Sequence, residues 1–143
     1  MIYLDTSALI KRFVREAGSD AVSRIVARKP VATSKIAYVE VHATLMRARR
    51  AGRLTGNQYT LVIGQFEREW PAYTRVDLHD DVLRLGREMV RRHPLRGYDA
   101  VHLASAVALR RGLDEEIVFA AADAKLLAAA ASERLRTLDV RKG

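Results

Sequence analysis

A chain of 143 residues that is 49% hydrophobic and 29% charged has the size and composition of one folded soluble domain with a real core. It holds no cysteine, which excludes disulfides and thiolate metal sites, and no apolar run nears the roughly 20 residues that cross a bilayer. Lys and Arg number 25 against 17 acids, a formal charge of +8 that favours polyanions or an acidic partner, although an Arg-rich solvated surface accounts for it equally well.

The first apolar stretch, Ile2 to Leu4, reads as a strand ending at Asp5. No basic segment precedes it, so a secretory signal is not expected and a cytoplasmic protein is. Thr6-Ser7 offer helix-start chemistry before Ala8–Arg15, and Gly18 breaks that segment. Ser19 or Asp20 can cap a second helix to about Arg28, with Val22, Ile25 and Val26 turned inward. Pro30 stops it, and Val31–Ser34 reads as a second strand. From Ile36 to Ala51 the residues Ile36, Val39, Ala43 and Met46 follow helical spacing and form the expected inward stripe. Gly52 ends that helix, and Thr55 caps another that runs to about Glu69 and closes at Trp70-Pro71.

Thr74–Leu78 reads as a third strand. Asp80 then caps a helix with Val82, Leu85, Gly86 and Met89 on one face. After a loop at 93–97, Tyr98–Arg111 is apolar almost all round and is expected to be buried. Ile117–Ala120, the helix Ala124–Ala131 and a last strand at Thr137–Val140 complete the chain. There is no repeat and no internal boundary, so 1–143 reads as one domain. Strands alternating with helices argue for a parallel sheet covered on both faces, where a ligand sits beyond the carboxyl ends of the strands.

Acids just after strands should therefore converge. Asp5 follows the first strand and Asp123 the fourth. Glu40 shares the stripe of Ile36 and Ala43, and Asp99 opens the buried helix one turn before His102. Each has a plain alternative: Asp5, Asp99 and Asp123 stand where a helix N-cap would, worth roughly 1 kcal/mol without chemistry, and Glu40 suits a solvated edge or an arginine partner. As a group they are harder to explain away. Ionised carboxylates about 5 Å apart repel by roughly 3 kcal/mol per pair at an effective dielectric of 20, so a cluster needs a cation or bound protons. All-oxygen ligation selects Mg²⁺ or Mn²⁺ over zinc.

Four segments resemble one family. Met1-Ile2-Tyr3-Leu4-Asp5-Thr6-Ser7-Ala8-Leu9 is similar to the opening strand and first acid of PIN-domain proteins. Ser34-Lys35-Ile36-Ala37-Tyr38-Val39-Glu40-Val41 resembles the second-acid segment, and Ala122-Asp123-Ala124-Lys125-Leu126 the fourth. Leu95-Arg96-Gly97-Tyr98-Asp99-Ala100-Val101-His102-Leu103-Ala104-Ser105-Ala106 resembles the third, in the family's toxin branch, the VapC subgroup. The resemblance implies a three-layer α/β/α domain with a mostly parallel central sheet. It implies an endoribonuclease that cuts single-stranded or loop RNA with Mg²⁺ or Mn²⁺, held by Asp5, Glu40 and Asp99 with Asp123 completing the pocket. It implies the toxin half of a toxin–antitoxin pair, so a cognate antitoxin partner whose C-terminal segment lies across a basic groove, and a homodimer. Many relatives have Ser or Thr two residues before the fourth acid; this chain has Ala121, which weakens a direct role for Asp123.

Other residues are weighed the same way. Thr6 serves either the pocket or the helix start, and His102 reads as a structural hydrogen-bonding residue. Lys11, Arg12 and Arg15 follow the first acid closely and either flank the groove or, the favoured alternative, form a solvated surface. Tyr59, Val62, Ile63 and Phe66 either cover a dimer interface or pack into the domain itself. A phosphotransferase using Asp5 as nucleophile would want a second Asp close by, and Thr6-Ser7-Ala8 supplies none. No glycine-rich phosphate loop follows the first strand. The non-enzymatic alternative is a PIN-fold module that binds RNA or an antitoxin without cutting.

Overall fold

The computed structural model describes residues 1–142. Five strands, β1 (Ile2–Leu4), β2 (Val31–Ser34), β3 (Thr74–Val76), β4 (Val118–Ala121) and β5 (Arg136–Asp139), pair in the order β3-β2-β1-β4-β5. Every pairing is parallel, with Ile2 opposite both Val31 and Val118. The sheet is thus wholly parallel, where the sequence predicts a mostly parallel one.

Alternation along the strands divides the core in two. Ile2, Leu4, Val118 and Ala120 face one side, and Tyr3, Ala32, Phe119 and Ala121 the other. The first side is covered by α1 (Thr6–Leu9), α2 (Ser19–Val26), α3 (Ile36–Arg50) and α4 (Gly56–Glu69). The second is covered by α5 (Asp80–Arg92), α6 (Gly97–Leu113) and α7 (Ala124–Ser132). The result is a three-layer α/β/α domain. Because both sheet faces are dry, the strands read as apolar runs rather than as alternating ones. Among the described residues no helix is long and apolar enough to cross a membrane.

The chain turns away from β1 toward β2 and β3, then returns to the other side of β1 for β4 and β5. The crevice where the winding reverses lies at the carboxyl ends of β1 and β4, the place where open α/β sheets bind ligands.

Several local expectations change. The first helix is one turn followed by a 3₁₀ turn at Ile10–Arg12, short of the expected Arg15. Helix α2 is entered through Gly18 without a side-chain cap; Ser19 Oγ instead accepts from Glu16 N at 2.9 Å and donates to Val14 O. Gly18 has φ +91, and a Cβ there would meet Val140 O at 1.9 Å, so both backbone conformation and close approach demand glycine. Helix α4 begins as expected, with Thr55 and Gln58 forming a reciprocal capping box. Helix α5 is capped by no side chain, Asp80 being its first residue rather than its cap.

Helix α3 is turned differently from its expected stripe. Its core contacts are Ala37, Val41, Leu45 and Ala48, while Val39 is 67% exposed. The stripe of Ile36, Val39 and Ala43 faces a cleft instead. Both sets of residues repeat at helical intervals, and small alanines on the buried face let α3 approach the sheet closely. On α4, Phe66 is fully buried, and Tyr59, Val62 and Ile63 pack against the domain's own core. Phe66 therefore belongs to the interior and the other three are partly covered by it, while Leu61 is the large apolar side chain of α4 that is mainly exposed.

Candidate active site

Asp5 leaves β1 still in register, its N–H donating to Ala120 O at 3.2 Å. Its carboxylate is 4% exposed. Oδ1 accepts from Ala8 N at 2.9 Å and Ser7 Oγ at 2.7 Å, and Oδ2 lies 2.9 Å from the same hydroxyl. Asp5 is therefore a helix cap, as its position in sequence allows, but a buried one. Burial pushes its carboxyl above the ordinary range, and the charge of Asp99 adds to the push against the pull of His102, Ser7 and Ala8. Ser7 Oγ also accepts from Ala122 N at 3.0 Å. A hydroxyl thus stands at the end of β4 although Ala121 brings none.

Glu40 arrives from α3, half-buried. Thr6 Oγ1 donates to its Oε1 at 2.7 Å, and His102 Nε2 meets the same oxygen at 2.8 Å. Burial alone would raise the Glu40 carboxyl, but the His102 and Thr6 hydrogen bonds outweigh it and hold the group below its usual value. Thr6 accordingly works in the pocket as well as opening α1. His102, 2% exposed, reaches Tyr3 Oη through Nδ1 at 2.8 Å. Sequence reasoning assigned His102 a structural bond but had no means of seeing that one partner is a candidate site residue.

Asp99 sits in the first turn of α6, whose N-cap is Arg96, so it is not the cap its position suggested. It is free to face a cleft of about 660 Å³ shared with Asp123, Arg96, Lys125 and Arg141. Desolvation raises the Asp99 carboxyl first, and the nearby charge of Asp123 raises it further, with Glu40 adding less. Asp123 caps α7 through Leu126 N at 3.0 Å. On the far side of Asp99's helix start, Glu40 and Thr6 line a second cleft of about 350 Å³ with Val39, Arg47 and the exposed Tyr98.

Asp5 and Asp123 thus cap the helices that follow β1 and β4, Asp99 shares a cleft with Asp123, and Glu40 is tied to His102 one turn beyond Asp99. Of the three cations that follow the first acid, none lines the cleft of Asp99 and Asp123. Lys11 is buried against Glu16 and Ala17 O, Arg12 pairs with Glu69, and Arg15 with Asp20. Arg96, Lys125 and Arg141 line that cleft with Asp99 and Asp123. Arg141 is aimed by Asp139, which receives its Nε at 3.0 Å and Nη2 at 2.7 Å and is held down to about 2 by that partnership. Arg141 lies 18 residues past Asp123 in a separate element, so no local pattern announces it.

Among the described residues no three His, Asp or Glu side chains stand close enough, as placed, to grip one ion together. The donor set is nevertheless all-carboxylate, which suits a hard cation and not zinc. Mg²⁺ keeps several waters and takes only one or two carboxylates directly, so an open set of acids fits it where a closed cage is absent.

Comparison with known proteins bears on this arrangement. A family model described as PIN domain matches residues 2–140. Ribonuclease VapC45 of Mycobacterium tuberculosis (strain CDC 1551 / Oshkosh) is 37% identical over 110 residues, 76% of each chain. The crystal structure of FitAcB from Neisseria gonorrhoeae superposes with a TM-score of 0.67 at 14% identity over 98% of both chains. A toxin–antitoxin complex from Klebsiella pneumoniae gives a TM-score of 0.60 at 18% identity, covering 90% of this chain and 91% of that one.

Proposed function

This chain belongs to the PIN-domain family, and from that footing we propose that it is a Mg²⁺- or Mn²⁺-dependent endoribonuclease, the toxin of a toxin–antitoxin pair. The observation that carries the reading is the placing of Asp5 and Asp123 at the ends of β1 and β4, with Asp99 in one cleft with Asp123, Arg96, Lys125 and Arg141, and Glu40 held by Thr6 and His102. Likeness to ribonucleases named VapC supports the activity and the toxin role.

Asp5, Glu40 and Asp99 would hold the cation, one or two of them directly and the others through its waters, with Asp123 completing the set. When bound, such an ion lowers the pKa of a water and offsets charge developing on the phosphate. The chain's own residues supply the rest. Arg96, Lys125 and Arg141 draw the phosphodiester backbone to the acids, a long-range attraction that salt screens. Ser7 and Ala8 hold the Asp5 carboxylate in one orientation. A carboxylate of the set, Asp5 or Asp99, would accept the proton released by an attacking water. Attack by water leaves 5′-phosphate and 3′-hydroxyl ends.

The partners in this reading are RNA as substrate and a cognate antitoxin protein, the latter supported by likeness to toxin–antitoxin complexes. A homodimer and a cytoplasmic setting complete it.

The test is cleavage of a total RNA pool by purified, antitoxin-free protein, with Asp99→Asn and EDTA as controls. Cleavage that needs Mg²⁺ or Mn²⁺ and disappears in the variant supports the nuclease. Absence of cleavage, with RNA still bound, transfers the reading to a binding module, and a 2′,3′-cyclic phosphate end refutes water as the nucleophile.

A further inference from the structure

Glu40 and Asp99 come from opposite sides of the sheet. Helix α3 packs on the face built around Ile2 and Leu4, and α6 on the face built around Tyr3 and Phe119. One hydrogen-bonded line crosses between these layers past the end of β1: Tyr3 Oη to His102 Nδ1 at 2.8 Å, then His102 Nε2 to Glu40 Oε1 at 2.8 Å. Its outer end is reinforced by Thr6 Oγ1, 2.7 Å from Glu40 Oε1 and 3.2 Å from His102 Nε2.

Each member has little freedom. Tyr3 is fully buried in β1, its ring stacked on Phe119 with centroids 5.4 Å apart and planes at 6°. It meets the His102 ring edge-on at 5.9 Å. His102 lies one turn beyond Asp99 on α6, so the helix that carries one acid also carries the group gripping another. A carboxylate can only accept, so Nε2 carries the hydrogen toward Glu40, and in the neutral imidazole Nδ1 accepts from the Tyr3 hydroxyl. Two donors then occupy Oε1. Glu40 Oε2 has no hydrogen-bond partner among the described residues.

We infer that Tyr3 and His102 are positioning residues for the cation site, locking Glu40 across the two helical layers so that Oε2 alone is presented to the metal. The inference rests on the nuclease reading and adds to it two residues that touch neither substrate nor ion. Groups that orient a metal ligand from behind commonly govern affinity by about 10- to 100-fold.

The test is calorimetric titration of Mn²⁺ into RNA-free protein for the wild type, Tyr3→Phe, His102→Gln and His102→Leu, with thermal unfolding and cleavage kinetics on the same preparations. Tyr3→Phe deletes one oxygen and should weaken Mn²⁺ binding by about tenfold. His102→Leu should weaken it by more, and His102→Gln, whose amide nitrogen takes the place of Nε2, should recover most of the loss. The loss should appear in kcat with KM for RNA little changed. If His102→Leu does not fold, Tyr3→Phe and His102→Gln decide. A lowered melting temperature with Mn²⁺ affinity equal to wild type in those two variants overturns the positioning role and leaves the nuclease standing. A wild type that neither binds Mn²⁺ nor cuts RNA overturns the nuclease reading and the positioning role with it.

Discussion

Replacing Asp5 by Asn should abolish RNA cleavage while making the metal-free protein more stable. The carboxylate is 4% exposed, and burying an ion of that size costs several kcal/mol even after relaxation. Asn keeps an acceptor where Oδ1 takes the Ala8 N–H at 2.9 Å and the Ser7 hydroxyl at 2.7 Å. It gives up the charge-assisted contact at Oδ2, 2.9 Å from Ser7 Oγ, worth roughly 1.5–3 kcal/mol. The balance favours Asn by about 1–3 kcal/mol near neutral pH, a rise of roughly 3–12 °C in melting temperature for a domain of this size.

The sign with pH follows from the raised carboxyl of Asp5. A group whose folded pKa lies above its unfolded value contributes stability below the unfolded value and loses it as pH rises through the folded one. The wild type should therefore lose stability relative to Asp5→Asn as pH climbs from about 4 toward neutrality, and the two should converge in acid. Urea unfolding in EDTA across that range measures the difference directly. A gap that stays constant with pH, or a variant less stable than wild type at pH 7, would refute burial as the dominant influence on Asp5.

Three further outcomes are expected. Gly18→Ala should cost about 2–5 kcal/mol, combining a left-handed backbone (φ +91) with a Cβ 1.9 Å from Val140 O; Gly52→Ala, at φ +75 in open space, should cost only about 1–2 kcal/mol, and equal losses in urea unfolding would discredit the clash. Ser7→Ala removes a donor to Asp5 and the acceptor for Ala122 N, so it should destabilise by about 1–3 kcal/mol; a neutral result in thermal unfolding would mean that water replaces the hydroxyl. Lys125→Gln and Arg141→Gln should each weaken binding of single-stranded RNA and lower the log–log salt slope by about 0.7, whereas Lys11→Gln, buried against Glu16, should leave that slope unchanged.

How far each feature was legible depends on how local its cause is. Strands β1 and β2 could be bounded to the residue because Asp5, Pro30 and the Ser34-Lys35 step punctuate short apolar runs. Thr55 as the cap of α4 was equally readable, and the structure adds Gln58, three residues on, as its reciprocal partner. Helix α3 was not: two sets of small or apolar residues share its repeat, and only packing against α1, α4 and β2 chose the Ala37–Val41–Leu45 face over the Val39 face. The same choice put the Ile36, Val39 and Ala43 stripe, with Glu40, at the cleft.

By itself the sequence determined the alternation of strands and helices, the apolar runs that require both sheet faces to be covered, and an acid directly after β1 and another two residues past β4. These follow from backbone geometry and burial over a few residues, which act along the chain. Tertiary structure decided what the acids meet. The strand order β3-β2-β1-β4-β5 placed Asp5 beside Asp123's edge, 99 residues of separation were closed between Tyr3 and His102, and Arg141 rather than Lys11 was brought to the cleft. Ion pairing and hydrogen bonding depend on distances through space, and those exist only once the sheet has set its register.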